Sequence, residues 1–189
     1  GRHEKAIDAY RQVLEVGGVP EDFRSLVQFQ VAETRFLAKE WGEAAKEYKR
    51  YVELFPESEE AGRAYYYSGW SVFNQKEYDQ SMVILQEMLS AYPEDSYAPD
   101  AQFRIANALY EKGRYEEAVT EAQVVLNKYP NSPVIAQSVY LKANAFDKMS
   151  RDEEAIVAYR EVRALYDRMF ELLRGSFREG KNVDFENFR

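Results

Sequence analysis

Apolar residues recur along most of the chain at helical spacing. Glu116 to Lys128 carries Ala118, Val119, Ala122, Val125 and Leu126, which share one face of a helix. Asp100 to Tyr110 carries Phe103, Ile105, Ala106, Leu109 and Tyr110, a second such face. Lys112-Gly113-Arg114 reads as the short turn between them, with Gly113 able to take a positive φ. Tyr129-Pro130 ends the second helix, because Pro cannot donate to the helical ladder and restricts the residue before it. Asn131-Ser132-Pro133 restarts a helix, with Ser132 as N-cap and Pro133 at the first helical position. Read this way, the chain is predicted to hold nine helices, at 2–16, 21–38, 42–55, 59–75, 78–91, 97–112, 115–128, 133–149 and 152–174.

The pattern repeats about every 37 residues. Ala44, Ser81, Ala118 and Ala155 form one column at that step, and Ala32, Gly69, Ala106 and Ala143 a second. Phe55, Tyr92, Tyr129 and Tyr166 form a third, Pro56, Pro93 and Pro130 a fourth. Trp41, Tyr78 and Tyr115 make a fifth, with Asp152 as its odd member. The two small columns have a mechanical reason: where paired helices cross closely, a larger side chain forces them apart. Ser81 is the polar member, and its hydroxyl is expected to bond a carbonyl one turn back.

The predicted architecture is an all-α, right-handed α-solenoid of about four and a half helix–turn–helix repeats over residues 1–174. It comprises a half-repeat at 1–16 and repeats at about 21–56, 58–93, 95–130 and 132–167. Asp167 replaces the repeat's Pro, so the last helix is expected to run longer than the others. Residues 175–189, with Phe177, Val183, Phe185 and Phe188, read as a C-terminal tail that either frays or caps the last pair. Ala6 precedes Ala44 by 38 residues, so helix 2–16 lacks its front partner and the chain reads as a piece of a longer protein. Its face of Ala6, Ile7, Tyr10, Val13 and Leu14 is expected to dock on the following repeat or on a neighbouring molecule, making self-association through this helix an alternative reading.

Composition narrows the function. Hydrophobic residues reach 46%, enough for a sizeable core. A formal net charge of -8 disfavours phosphate backbones and anionic lipid heads, so no nucleic-acid partner is expected. No apolar run is long enough to insert in a membrane. The chain has no Cys, and its only His is His3, so thiol, triad and multi-His metal chemistry are all unsupported. Gly17-Gly18 reads as a turn rather than a phosphate loop, and Glu116-Glu117 and Glu153-Glu154 as solvated helix starts. No catalytic, cofactor or metal site is expected, and the chain reads as a non-enzymatic interaction scaffold or, alternatively, a self-assembling structural module.

The succession of a small residue, a Gly turn, an aromatic, Ala and Pro, seen in Ala106, Gly113, Tyr115, Ala118 and Pro130, resembles the tetratricopeptide repeat (TPR). The extra residues after each Pro, and the Tyr-Pro followed by Ser, resemble lengthened repeats of bacterial envelope proteins: the lipoprotein of the outer-membrane β-barrel assembly machine and the Tol–Pal coordinator. Ser81, Lys142 and the aromatic-poor turn Ser150-Arg151-Asp152 depart from the pattern. The resemblance implies a periplasmic or outer-membrane-associated location; without it a cytoplasmic one stands. It also implies that the front helices line a concave groove, into which three columns point. The first is Phe29, Tyr66, Phe103 and Tyr140; the second Glu33, Trp70, Asn107 and Asn144; the third Phe36, Phe73, Tyr110 and Asp147. Phe29, Tyr66, Trp70, Phe73, Phe103, Asn107, Tyr110 and Tyr140 are accordingly the expected contacts for a protein or peptide partner. Chaperone-binding relatives hold a terminal carboxylate with Lys and Asn, but the first two columns contain neither Lys nor Arg.

Overall fold

The computed structural model describes residues 1–178. Among them are nine α-helices and no strand: α1 (Arg2–Glu15), α2 (Glu21–Leu37), α3 (Trp41–Leu54), α4 (Ala61–Asn74), α5 (Tyr78–Ala91), α6 (Ala98–Glu111), α7 (Tyr115–Lys128), α8 (Ile135–Lys148) and α9 (Asp152–Arg178). α9 runs helically through 175–178, where the sequence suggested a tail. With Asp167 in the place of the repeat's Pro, nothing removes the backbone donor that would stop it. The tail itself, with Val183, Phe185 and Phe188, lies outside the described residues.

The chain divides into two compact units, Gly1–Ala101 and the residues from Gln102 onward, with the boundary inside α6. In the first, α1 packs on α2, α2 on α3, α3 on α4 and α4 on α5. In the second, α7 packs on α8 and α8 on α9. The docking of α1 on α2 buries Ile7 completely. Arg11 Nη2 reaches across to Glu47 Oε1 of α3 at 3.1 Å, and Glu4 Oε1 accepts from Arg35 Nη1 of α2 at 2.9 Å.

The turn inside each pair is one device used four times. Lys39, Lys76, Gly113 and Ser150 all have positive φ, of 61°, 65°, 74° and 57°. The N–H of each following residue donates back over the turn: Glu40 to Arg35 O, Glu77 to Val72 O, Arg114 to Leu109 O and Arg151 to Phe146 O, at 2.9–3.3 Å. This left-handed helix ending satisfies carbonyls that the helix leaves open. Only Gly113 adopts it without a Cβ penalty.

The turn between pairs differs from the sequence expectation. Ser132 and Pro133 do not cap α8, which begins at Ile135 with Val134 as N-cap and no side-chain cap bond. They belong to a turn in which Ser132 N–H donates to Tyr129 O and Ile135 N–H donates to Ser132 O. At the equivalent places, Ser58 Oγ accepts from Glu60 N–H at 3.2 Å and Asp95 Oδ1 from Tyr97 N–H at 2.7 Å. In those two turns the polar residue two places after Pro pins the turn, two residues earlier than a helix cap would sit, whereas the Ser132 hydroxyl makes no such bond.

The small columns are buried: Ala32, Ala106, Ala143, Ala44, Ser81 and Ala118 are each 0% exposed, and Ala155 4%. Gly69 lets α4 and α5 approach so closely that an added Cβ would stand 2.7 Å from Leu85 Cδ2. Ser81 Oγ does not bond within its own helix. It donates 2.8 Å across the pair to Gly69 O.

Candidate functional site

The expected contact residues fall into three settings. In the first unit, Phe29 is 4% exposed. Its ring meets the edges of Tyr48 and Tyr51, at centroid distances of 5.6 and 5.3 Å. The Arg63 guanidinium sits 4.7 Å above it, held by Glu33 and Glu60. Tyr66 is 2% exposed and packs on Trp70 at 5.7 Å and on Tyr97 at 5.2 Å. Trp70, half-buried, stacks on Tyr67 at 5.5 Å and meets Phe36 at 5.1 Å. Tyr66 and Trp70 pack on one another inside a cluster that also holds Tyr67 and Tyr97, which periodicity did not single out. Burial pushes the Tyr97 hydroxyl up to about 12 and that of Tyr48 higher still.

The second setting is the pair turn. Phe73 lies edge-on to Tyr78 at 5.1 Å, and Tyr110 edge-on to Tyr115 at 5.3 Å. Phe36 and Trp41 make the same contact at 5.1 Å. These are one front-helix column and one back-helix column pinning each turn. Both columns turn to Asp in the last pair, at Asp147 and Asp152. There Arg151 covers Phe146 at 4.7 Å instead.

The third setting is a pocket in the second unit, of about 490 Å³. Four expected residues line it: Phe103, Asn107, Tyr110 and Tyr140. Leu141, Asn144, Val162 and Tyr166 line it as well, with Glu111 and Gln137. α6, α8 and α9 supply these side chains. Tyr140 and Tyr166 are 52% and 51% exposed, so half of each ring remains to be covered. Asn144 Oδ1 accepts from Tyr159 Oη at 2.7 Å. That bond turns the Asn144 amide so that its N–H groups are left to donate elsewhere. Burial raises the Tyr110 hydroxyl, and the neighbouring Tyr115 hydroxyl and Glu111 carboxylate add to the shift. Tyr166 carried a sequence signal: it keeps the Phe55, Tyr92 and Tyr129 column while losing the Pro that follows.

Aromatic faces and side-chain amides offer area and hydrogen bonds. Among the described residues no group of three or more His, Asp or Glu gathers to hold a metal ion. No described helix is long and apolar enough to cross a membrane.

Known proteins agree with this fold. A tetratricopeptide-repeat model matches residues 32–96. The YfiO family model, described as an outer membrane lipoprotein, matches residues 66–179, more than half of the chain, and the chain belongs to that family. Among solved structures, a crystal structure of MamA superposes with a TM-score of 0.72 at 16% identity, over 89% of this chain and 91% of that one. YrrB, described as a TPR protein with an unusual peptide-binding site, gives 0.62 at 16% identity, over 85% and 76%. A putative kinesin light chain from Podospora anserina with nearly identical TPR-like repeats gives 0.68 at 16%, over 90% of each chain. These likenesses establish the fold. No curated protein sequence matches significantly.

Proposed function

We propose that the protein is a non-catalytic interaction scaffold that holds a partner peptide or helix against the pocket of its second unit. The observation that carries this reading is the gathering of Phe103, Asn107, Tyr110 and Tyr140 in one cavity with two half-exposed tyrosines. An apolar side chain of the partner would fill the space between Phe103, Tyr140 and Tyr166, and the Asn107 and Asn144 amides would meet its backbone. In the first unit, Trp70 is the expected contact of that same kind, with Tyr66 packed against it, while Phe29 is buried against Tyr48 and Tyr51. Phe73 acts by pinning its turn. The peptide-binding description of YrrB supports the reading by analogy of fold.

Membership of the YfiO family supports a place in an envelope assembly, at the outer membrane or in the periplasm. These 189 residues contain no Cys, so a lipid-bearing Cys would have to lie outside them.

The test uses peptides selected from a random display library against the intact protein. Tyr140→Ala and Asn107→Ala should each weaken the selected peptides about tenfold or more, because contacts near the centre of an interface carry most of its energy. The circular dichroism should not change. Selected peptides that bind both variants as tightly as the parent would contradict the pocket.

A further inference from the structure

The 37-residue step lets each back-helix position be compared with its counterparts. Tyr48 on α3 and Ala122 on α7 are 1% and 0% exposed, on helices that pack against α4 and α8. Their counterpart on α9, Tyr159, is 37% exposed. Ala45 and Val119 are half-buried, whereas Ile156 is 49% exposed. Phe55 and Tyr129 are half-buried, whereas Tyr166 is 51% exposed. One turn beyond, Phe170 is 62% exposed. At these spacings Ile156, Tyr159, Tyr166 and Phe170 share one side of α9. It is the side that a front helix covers in the earlier pairs.

Arg163 lies in the middle of this stripe. It stands where Val52, Leu89 and Leu126 stand in the earlier repeats. Its ion pair with Asp167 is 3.6 Å long, and both side chains are largely exposed, so the pair contributes little. A wholly apolar helix laid over Arg163 would strip water from the guanidinium and return nothing.

We propose that this face of α9 seats an amphipathic helix of a partner protein, laid on it as α4 lies on α3 and α8 on α7, and carrying a carboxylate opposite Arg163. The seat meets the pocket at Tyr166, but Ile156 and Phe170, at its two ends, do not line the pocket. A second copy of the chain fits less well. Its α1 is in back-helix register, with Ile7 37 residues before Ala44, and Ile7 is already buried.

The probe is a fluorescent peptide with the sequence of residues 60–75, the front helix α4, titrated against the full chain. Three variants place an acid on its inner face: Ala64→Glu, Ser68→Glu and Ser71→Glu. At least one should bind about tenfold more tightly than the parent peptide, the scale of one desolvated charge pair. Arg163→Glu in the protein should reverse that preference. Ile156→Glu and Phe170→Glu, both at exposed positions, should weaken every peptide about tenfold or more while the selected pocket peptides bind as before. No saturable binding, or binding indifferent to Ile156→Glu and Phe170→Glu, overturns the seat. An acid preference that survives Arg163→Glu overturns the carboxylate. A dimer in sedimentation that Phe170→Glu dissolves would assign the face to a second copy. A variant ending at residue 178 that binds tenfold more tightly would assign it to residues 179–189. Either result overturns the partner helix.

Discussion

Ser81 Oγ donates to Gly69 O across the crossing of α4 and α5, at 2.8 Å. The bond exists because Gly69 lacks a side chain, which brings its carbonyl within reach. The two residues should respond differently to substitution. Ser81→Ala restores the residue found at Ala44 and Ala118, and should cost about 1 kcal/mol, the net worth of one hydrogen bond. Gly69→Ala drives a methyl to 2.7 Å from Leu85 Cδ2 and should cost about 1–3 kcal/mol by overpacking. Urea unfolding of the two variants should preserve that order.

The turn after α6 depends on the one residue of its column that takes positive φ without penalty. Gly113→Ala should destabilise by about 1–2 kcal/mol, the cost of a Cβ in the left-handed region. Open space surrounds the position, so packing adds nothing. A Gly113→Ala midpoint equal to the parent's would show that the backbone relaxes out of this region.

Glu47 is 8% exposed and accepts from Arg11 Nη2 and from Gln28 Nε2, the latter at 2.9 Å. Gln28 is itself 2% exposed. Glu47→Ala would leave its amide without an acceptor, at about 1–3 kcal/mol for an unsatisfied buried polar group. Amide hydrogen exchange in α1 should quicken in this variant, because Arg11 loses its anchor on α3.

Alkaline pH should unfold the first unit. Burial raises the hydroxyls of Tyr65 and Tyr97 to about 12 from an ordinary value near 10. Their folded pKa values exceed the unfolded ones, so the stabilisation they contribute is full below pH 10 and is lost as the pH rises from 10 through 12. Thermal midpoints should be level below pH 9 and fall above 10. Tyr97→Phe should flatten that fall.

Much of the fold was legible in the sequence because each repeat solves the same packing problem with the same residues. The buried columns at Ala32, Ala44, Ala106 and Ala118 could be read from spacing alone. The partner of Ser81 could not, because periodicity places a hydroxyl on a face but does not say which carbonyl lies nearer. The cap expected at Ser132 failed for a similar reason: the pattern of Ser and Pro fits a turn as well as a helix start, and backbone bonds decide between them. Among the expected contact residues, spacing did not separate ring pins from pocket walls. A joint signal was present, since the columns of Phe73 and Tyr78 are aromatic together and become Asp147 and Asp152 together. Tyr97 gave no such signal, because it lies in the lengthened turn rather than in a repeated column.

A partner segment held in the pocket of the second unit would lie within crosslinking reach of Tyr140. The most direct test replaces Tyr140 with a photo-crosslinking benzophenone residue, and Thr120, an exposed residue of α7 outside the pocket lining, as the comparison. Irradiated with a library-selected peptide, the protein labelled at 140 should capture it and the protein labelled at 120 should not. Equal capture at both positions, or capture only at 120, would contradict the account.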